Sequence, residues 1–131
     1  MEFTSKTALS HKNVIGSGKG AKVRQITAGA ITDLDIGHVI VITKEGIQGR
    51  WDGITIPTED IDDGAGGTIT VTAAYRLAIV TRKQFAGDAS VTALVKGDYV
   101  RENVVLADDS ALPAEAQFML TLSDLWAEGE W

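Results

Sequence analysis

Three parts of this 131-residue chain hold residue types that could do chemistry. The first is GSGKGAK, Gly16 to Lys22, with three glycines and two lysines in seven residues. A phosphate-cradling loop needs Gly, four residues, Gly-Lys and then Ser or Thr, so that backbone N–H groups meet the phosphates and a hydroxyl meets magnesium. Gly18-Lys19 would require glycine at position 13, where Asn13 stands, and Lys19 is followed by Gly20. Such a loop also joins a buried strand to a helix N-terminus. Here a polar stretch (SKTALSHKN) precedes the run and a β-branched one (VRQIT) follows it. The run therefore reads as a hinge, with Gly16, Gly18 and Gly20 supplying backbone freedom and Lys19 and Lys22 supplying charge.

The second part is TEDIDDGAGG, Thr58 to Gly67. Its acids suggest calcium, whose loop wants acids at positions 1, 3 and 5, glycine at 6 and glutamate at 12. Counting from Asp60, position 5 is Gly64 and position 12 is Val71. The spacing fails, and the stretch reads as a hydrated surface loop. The third part is the scatter of single catalytic types. His11 lies in a polar leader, and His38 opens an apolar run, where a hydrogen-bonded structural role fits best. The chain has no cysteine, which excludes disulfide, iron–sulfur and thiol chemistry. None of Ser5, Ser10, Ser17, Ser90, Ser110 and Ser123 sits on a strand-to-helix nucleophile turn. No catalytic constellation emerges, so the chain is expected to be no enzyme and to need no cofactor or metal.

The elements that would position these residues divide the chain at residue 22. Residues 1–22 mix Thr, Ser, Lys, Gly and Asn, too little apolar surface to offset the cost of ordering, and form an expected flexible arm. Residues 23–131 form one expected domain. GHVIVIT, Gly37 to Thr43, has the β-branched continuity of a buried strand. Val23–Thr27 and ITIP at 54–57 read as short strands, with turns at KEG (44–46), Asp52-Gly53 and AGD (86–88). Within the stretch Gly67 to Phe85, residues 68–79 alternate strictly over twelve positions, long for one strand, so a break is expected near Ala73–Ala74. Ser90–Asn103 is a second β unit, with a turn expected at Gly97-Asp98. After Pro113 the period changes: Phe118, Met119, Leu122, Leu125 and Trp126 fall on one helical face, read as core, with Gly129 ending the helix. The fold class is α+β and β-rich: short strands and hairpins with a C-terminal helix and a flexible N-terminal arm.

Charge follows the same division. The first 24 residues carry Lys6, Lys12, Lys19, Lys22 and Arg24 against Glu2, while the whole chain is at −6. An acidic body repels phosphate, so nucleic acid is not an expected partner. No apolar run approaches the 18 residues of a membrane span, and no secretion signal opens the chain.

From Ala74 onward, AAYRLAIVTRKQFAGDASVTALVKGDYVRENVVLADD runs as strand, loop, alternating strand, Gly-x-Tyr-x-Arg-Glu and apolar run. This resembles the head decoration proteins of tailed phages, the lambda-like family. AGAITDLDIGHVIVITKEG and the polar arm before it are similar in kind to that family's opening segment. The threonine-rich TITVT strand has no clear counterpart there. The resemblance implies a homotrimer at local three-fold positions on the outside of the expanded head, with the major capsid protein as partner. It implies localisation in the virion, and in the host cytoplasm during assembly. It also implies that the arm orders on the shell as an added strand. Phe3, Thr4, Ser5, Lys6 and Leu9 alternate well enough to add to a sheet edge. Lys6, Lys12, Lys19 and Lys22 would favour an acidic shell. The alternatives are another phage structural protein (a dimeric cement protein at two-fold positions, or a tail or head–tail component) and a small ligand-binding β domain.

Overall fold

The computed structural model describes residues 13–16 and 20–128. The elements run β1 (Lys22–Thr27), β2 (Val39–Thr43), β3 (Gly46–Arg50), β4 (Thr58–Asp62), β5 (Thr68–Thr72), β6 (Tyr75–Val80), β7 (Ser90–Tyr99), a 3-10 turn (Arg101–Asn103), α1 (Ala114–Thr121) and β8 (Leu125–Ala127). The fold is α+β and β-rich, as the alternation in the sequence implies.

One sheet holds most of the strands in the order β1-β7-β6-β2-β3, and β8 pairs with β7 in parallel. β4 and β5 form a separate two-stranded sheet. The alternation of side chains across a strand gives the main sheet two buried faces. Val39, Val41, Leu77, Ile79 and Leu94 face one cluster, which α1 and β8 close with Ala116, Leu120, Leu125 and Ala127. Ile40, Ala78, Val80, Val91 and Ala93 face the other, closed by Ala28 and Leu34. Burying each large aliphatic side chain stabilises by roughly 1.5–3 kcal/mol. Small residues dominate the second face, and Ile26, Ile42 and Ile47 complete it from the curled ends of the sheet.

Several local expectations hold. The long alternating stretch breaks at Ala73–Ala74 between β5 and β6. Lys44-Glu45 forms the β2–β3 turn, and the buried GHVIVIT strand is β2. His38 is structural: its Nδ1 accepts the Asp35 N–H at 3.0 Å.

Others are overturned. Thr58–Gly67 is not one loop, because Thr58–Asp62 pairs with Thr68–Thr72 in register and only the tip is a turn. ITIP is not a strand; Asp52 caps the turn there, accepting the N–H groups of Ile54 (2.8 Å) and Thr55 (2.7 Å). This turn brings the Thr55 carbonyl to the indole N–H of buried Trp51 at 3.0 Å. Nor does β7 turn at Gly97-Asp98. It continues to Tyr99 past a register shift at residues 94–96, with Gly97 at φ 124 and Ala21 Cα 2.9 Å from where a Cβ would stand.

The C-terminal helix stops at Thr121 and buries Ala116, Gln117 and Leu120 rather than Phe118 and Leu122, which are exposed. Asp124 at φ 66 ends the helical path, and Leu125–Ala127 then alternates buried, exposed, buried as a strand. The apparent helical spacing of Leu125 and Trp126 was strand alternation. Arg76 holds this corner: its guanidinium donates to the carbonyls of Val95 (2.5 Å) and Ser123 (2.7 Å), while Ser123 Oγ accepts the Leu77 N–H (3.0 Å).

The Asp52 turn gives the first prediction. Hydrogen bonds from Thr55 and then Ile54 hold the Asp52 carboxyl below its ordinary range. A carboxyl depressed in the folded state contributes stability above its unfolded pKa, and that contribution is lost as pH falls through the folded pKa. The melting temperature of the native protein should therefore exceed that of Asp52→Asn at neutral pH. The gap should close below about pH 4, where the unfolded carboxyl titrates. Thermal melts by circular dichroism across pH check this, and a gap constant with pH contradicts it.

Candidate interaction surfaces

The residues proposed for the arm begin the account. Phe3, Thr4, Ser5, Lys6, Leu9, Lys12, Gly18 and Lys19 lie outside the described residues. Asn13–Gly16 does not behave as part of a free arm. Val14 is 2% exposed and belongs to the main core cluster, and Ile15 packs against it. The Gly16 N–H donates to Asp98 O (2.8 Å), and the Val100 N–H donates to Val14 O (2.9 Å). Ile15 thereby bridges Tyr99 antiparallel. On the other side of β7, the Gly97 N–H donates to Asp124 O (2.9 Å) and the Glu128 N–H to Tyr99 O (2.8 Å). The end of β7 is a central strand, flanked by Asn13–Gly16 on one side and β8 on the other.

This changes the reading of GSGKGAK. Gly16 opposes Asp98 and Lys22 opposes Lys96, so the chain on both sides of the run pairs with β7 along the same margin. Gly16 and Lys22 thus meet β7 two residues apart, at Asp98 and Lys96, so the run begins and ends on packed body instead of joining arm to body. A Cβ on Gly16 would lie 3.1 Å from the Cβ atoms of Asp98 and Glu128, a close approach that explains glycine there without any hinge. Gly20, at φ 73, has nothing within 4 Å and does sit in an open turn. Lys22 is exposed at the start of β1. Asn13–Gly16 is therefore packed body, so the arm expected over residues 1–22 does not include it.

Two exposed apolar surfaces escape a reading of composition. On the β4–β5 hairpin, Ile61 and Ile69 are directly opposed, at 42% and 50% exposure. Acids flank Ile61 in the sequence, with Glu59 on its face and Asp60 and Asp62 on the other. Thr58–Asp62 alternates Thr, Glu, Asp, Ile, Asp, a weak strand signal that its acid content concealed. Phe118 on α1 and Leu122 at its C-cap, four residues apart, are exposed at 59% and 67%, and part-exposed Trp126 follows on β8.

A cleft of about 320 Å³ lies beside β3, lined by Val41, Gln48, Arg50, Trp51, Asp52 and Pro57 among others. Its ionisable groups serve local structure. Arg50 donates to the Leu106 carbonyl (2.7 Å) and to Asp109 Oδ1 (2.8 Å), which holds the Asp109 carboxyl low. Asp52 is engaged in its own turn. Among the described residues, no group of three or more His, Asp or Glu is placed to hold a metal ion. No described helix is long and apolar enough to cross a membrane.

The Gly-x-Tyr-x-Arg-Glu motif has a clear structural role. Tyr99 is fully buried where Asn13–Gly16, β7 and β8 meet, and Arg101 and Glu102 stand exposed on the 3-10 turn that follows. No family model matches the chain, and no curated protein or solved structure matches it.

Proposed function

We propose that this protein decorates and stabilises the head of a tailed phage, binding the outside of the expanded shell as a homotrimer at local three-fold positions. Its partner is the major capsid protein. The observation that carries this reading is the placement of Asn13–Gly16. The chain joins the body already extended and antiparallel to β7, at the margin of a sheet. Residues 13–16 already add to a sheet margin within the chain, and the arm's role is the same kind of addition on the shell. The arm's lysines (Lys6, Lys12 and Lys19) then supply attraction to an acidic shell, and three arms on one trimer combine weak contacts into firm attachment. The exposed apolar residues of the hairpin and of α1 suit a protein that works by covering other surfaces.

The test mixes the purified protein with empty expanded shells of the phage that encodes it and measures co-sedimentation and stoichiometry. The full chain should saturate in multiples of three per local three-fold position, and binding should weaken as salt rises. Removing residues 1–12 should abolish binding while the body stays folded. Binding retained by that variant would refute the arm mechanism, and no binding by the full chain would refute the decoration role.

A further inference from the structure

We propose that the cleft between the start of β7 and the loop ahead of it binds a sugar acid, a saccharide ring that carries one carboxylate. The cleft holds about 210 Å³, and Gln25, Arg82, Phe85, Asp88, Ser90 and Thr92 are among the residues that line it. Its existence depends on Gln84. That side chain is 7% exposed, and a buried amide must find partners. Its Oε1 accepts the Leu34 N–H (3.2 Å), its Nε2 donates to Ile31 O (2.7 Å), and the Gln84 N–H donates to Leu34 O (2.9 Å). Both ends of the loop are tied as well. The Thr81 N–H donates to Thr92 O (3.0 Å), and Ala89 O accepts from the Ala28 N–H (2.9 Å). At the tip, Asp88 Oδ2 accepts the Phe85 N–H (2.8 Å). The loop is fixed before a ligand arrives, so little affinity is lost to ordering it.

The fixed loop and the strands beside it gather polar groups with nothing to bind. Gln25 opposes Thr92 across the β1–β7 pairing, and Ser90 lies two residues along, so their three side chains share one face of the sheet. Among the described residues, the Gln25 amide, the Ser90 and Thr92 hydroxyls and the Arg82 guanidinium have no side-chain hydrogen bond or ion pair. Phe85 is 60% exposed beside them. Each of these suits one part of a sugar acid. The guanidinium fork matches a planar carboxylate. The amide and hydroxyls pair with ring hydroxyls. The electron-rich face of Phe85 packs on the C–H face of a pyranose.

Asp88 sets the charge of the ligand. Lys83, also on the cleft wall, is drawn toward Asp35 at 3.7 Å, which leaves Arg82 as the unpaired cation and Asp88 as the acid nearby. A dianionic phosphate would meet the Asp88 carboxylate as well as the arginine and be repelled by it. A single carboxylate is matched by Arg82, and the second oxygen of Asp88 accepts from a sugar hydroxyl. An apolar ligand fits poorly, because it would strip water from these polar groups and return no hydrogen bonds. The site uses none of the arm residues, so it stands or falls independently of shell binding.

Titration of the isotope-labelled full chain with glucuronate, followed by two-dimensional NMR, supplies the test. A ligand of about 13 non-hydrogen atoms should bind with a dissociation constant of about a millimolar. The amide signals of Gln25, Arg82, Phe85, Asp88 and Thr92 should shift and saturate together. Glucose, which lacks the carboxylate, should bind about tenfold more weakly, and Arg82→Gln should lose about tenfold for glucuronate, each through loss of one charge-assisted contact. Phe85→Ala should lose about fivefold. Both variants alter exposed side chains, so the rest of their spectra should match the wild type and show that they are folded. Glucose 6-phosphate should bind more weakly than glucuronate. The site is overturned if glucuronate gives no saturating shift at these residues, or if Arg82→Gln binds it as tightly as the wild type. Equal binding of acetate, or no loss in Phe85→Ala, would overturn recognition of the ring, and tighter binding of glucose 6-phosphate would overturn the choice of a carboxylate.

Discussion

Gly37→Ala is expected to unfold the domain or leave it barely folded. Gly37 is buried at φ 93, a conformation that costs any residue with a Cβ. The added methyl would also stand 2.1 Å from the Asn103 carbonyl oxygen and 3.3 Å from its carbon, both backbone atoms. Neither chain can move aside cheaply. The Gly37 N–H donates to Val80 O (2.9 Å), and Gly37 O accepts from the Val105 N–H (3.0 Å), so the residue is clamped between β6 and the segment after the 3-10 turn. Strain and overlap together should cost on the order of 4 kcal/mol or more, a large share of the roughly 5–15 kcal/mol typical of a domain. Gly87→Ala is the control. Gly87 also has a positive φ, of 87°, but nothing lies within 4 Å of its Cβ position. Only the conformational cost remains there, about 1–2 kcal/mol. Urea titrations of both variants decide the matter, and similar midpoints for the two would show that the Asn103 contact is unimportant.

The second large effect separates two truncations. Removal of residues 1–12 takes away no described core side chain and no described hydrogen bond to β7, and should leave the urea midpoint almost unchanged. Removal of residues 1–16 takes away the buried Val14 side chain, whose loss opens the main core cluster. It also strips two backbone hydrogen bonds from β7, those of Asp98 O and of the Val100 N–H, and the Asn103 side-chain bond to Asn13 O (2.9 Å). Burial at about 2 kcal/mol and hydrogen bonds at about 1 kcal/mol each put the loss near 3–5 kcal/mol. The consequence is practical. A shell-binding defect in the shorter truncation reports on the arm, whereas a defect in the longer one mixes arm loss with a weakened body. Equal midpoints for the two truncations would contradict the assignment of Val14 to the core.

How much was legible in the sequence depends on the range of the forces involved. GHVIVIT, the β2–β3 turn and the Ala73–Ala74 break were readable because β-branched continuity, turn residues and alternation are local properties of the chain. The exposed apolar surfaces were less readable. Thr58–Asp62 was hidden by its acids, which favour solvent in any conformation, and only pairing with Thr68–Thr72 makes it a strand. Phe118 and Leu122 look like core residues by type, yet the helix turns Ala116 and Leu120 inward because the floor beneath it accepts small and aliphatic groups.

The sequence by itself determined a β-rich domain with a terminal helix, the absence of cysteine chemistry, and a basic leader ahead of an acidic body. Each of these follows from composition or from the period of neighbouring residues. Only the tertiary structure decided that Asn13–Gly16 belongs to the sheet, that GSGKGAK begins and ends against β7, and that Leu125–Ala127 is extended rather than helical. Those outcomes turn on backbone groups of Asp98, Tyr99 and Val100 offering hydrogen bonds to segments far away in the chain. Such long-range pairing leaves no mark in the spacing of the residues it recruits.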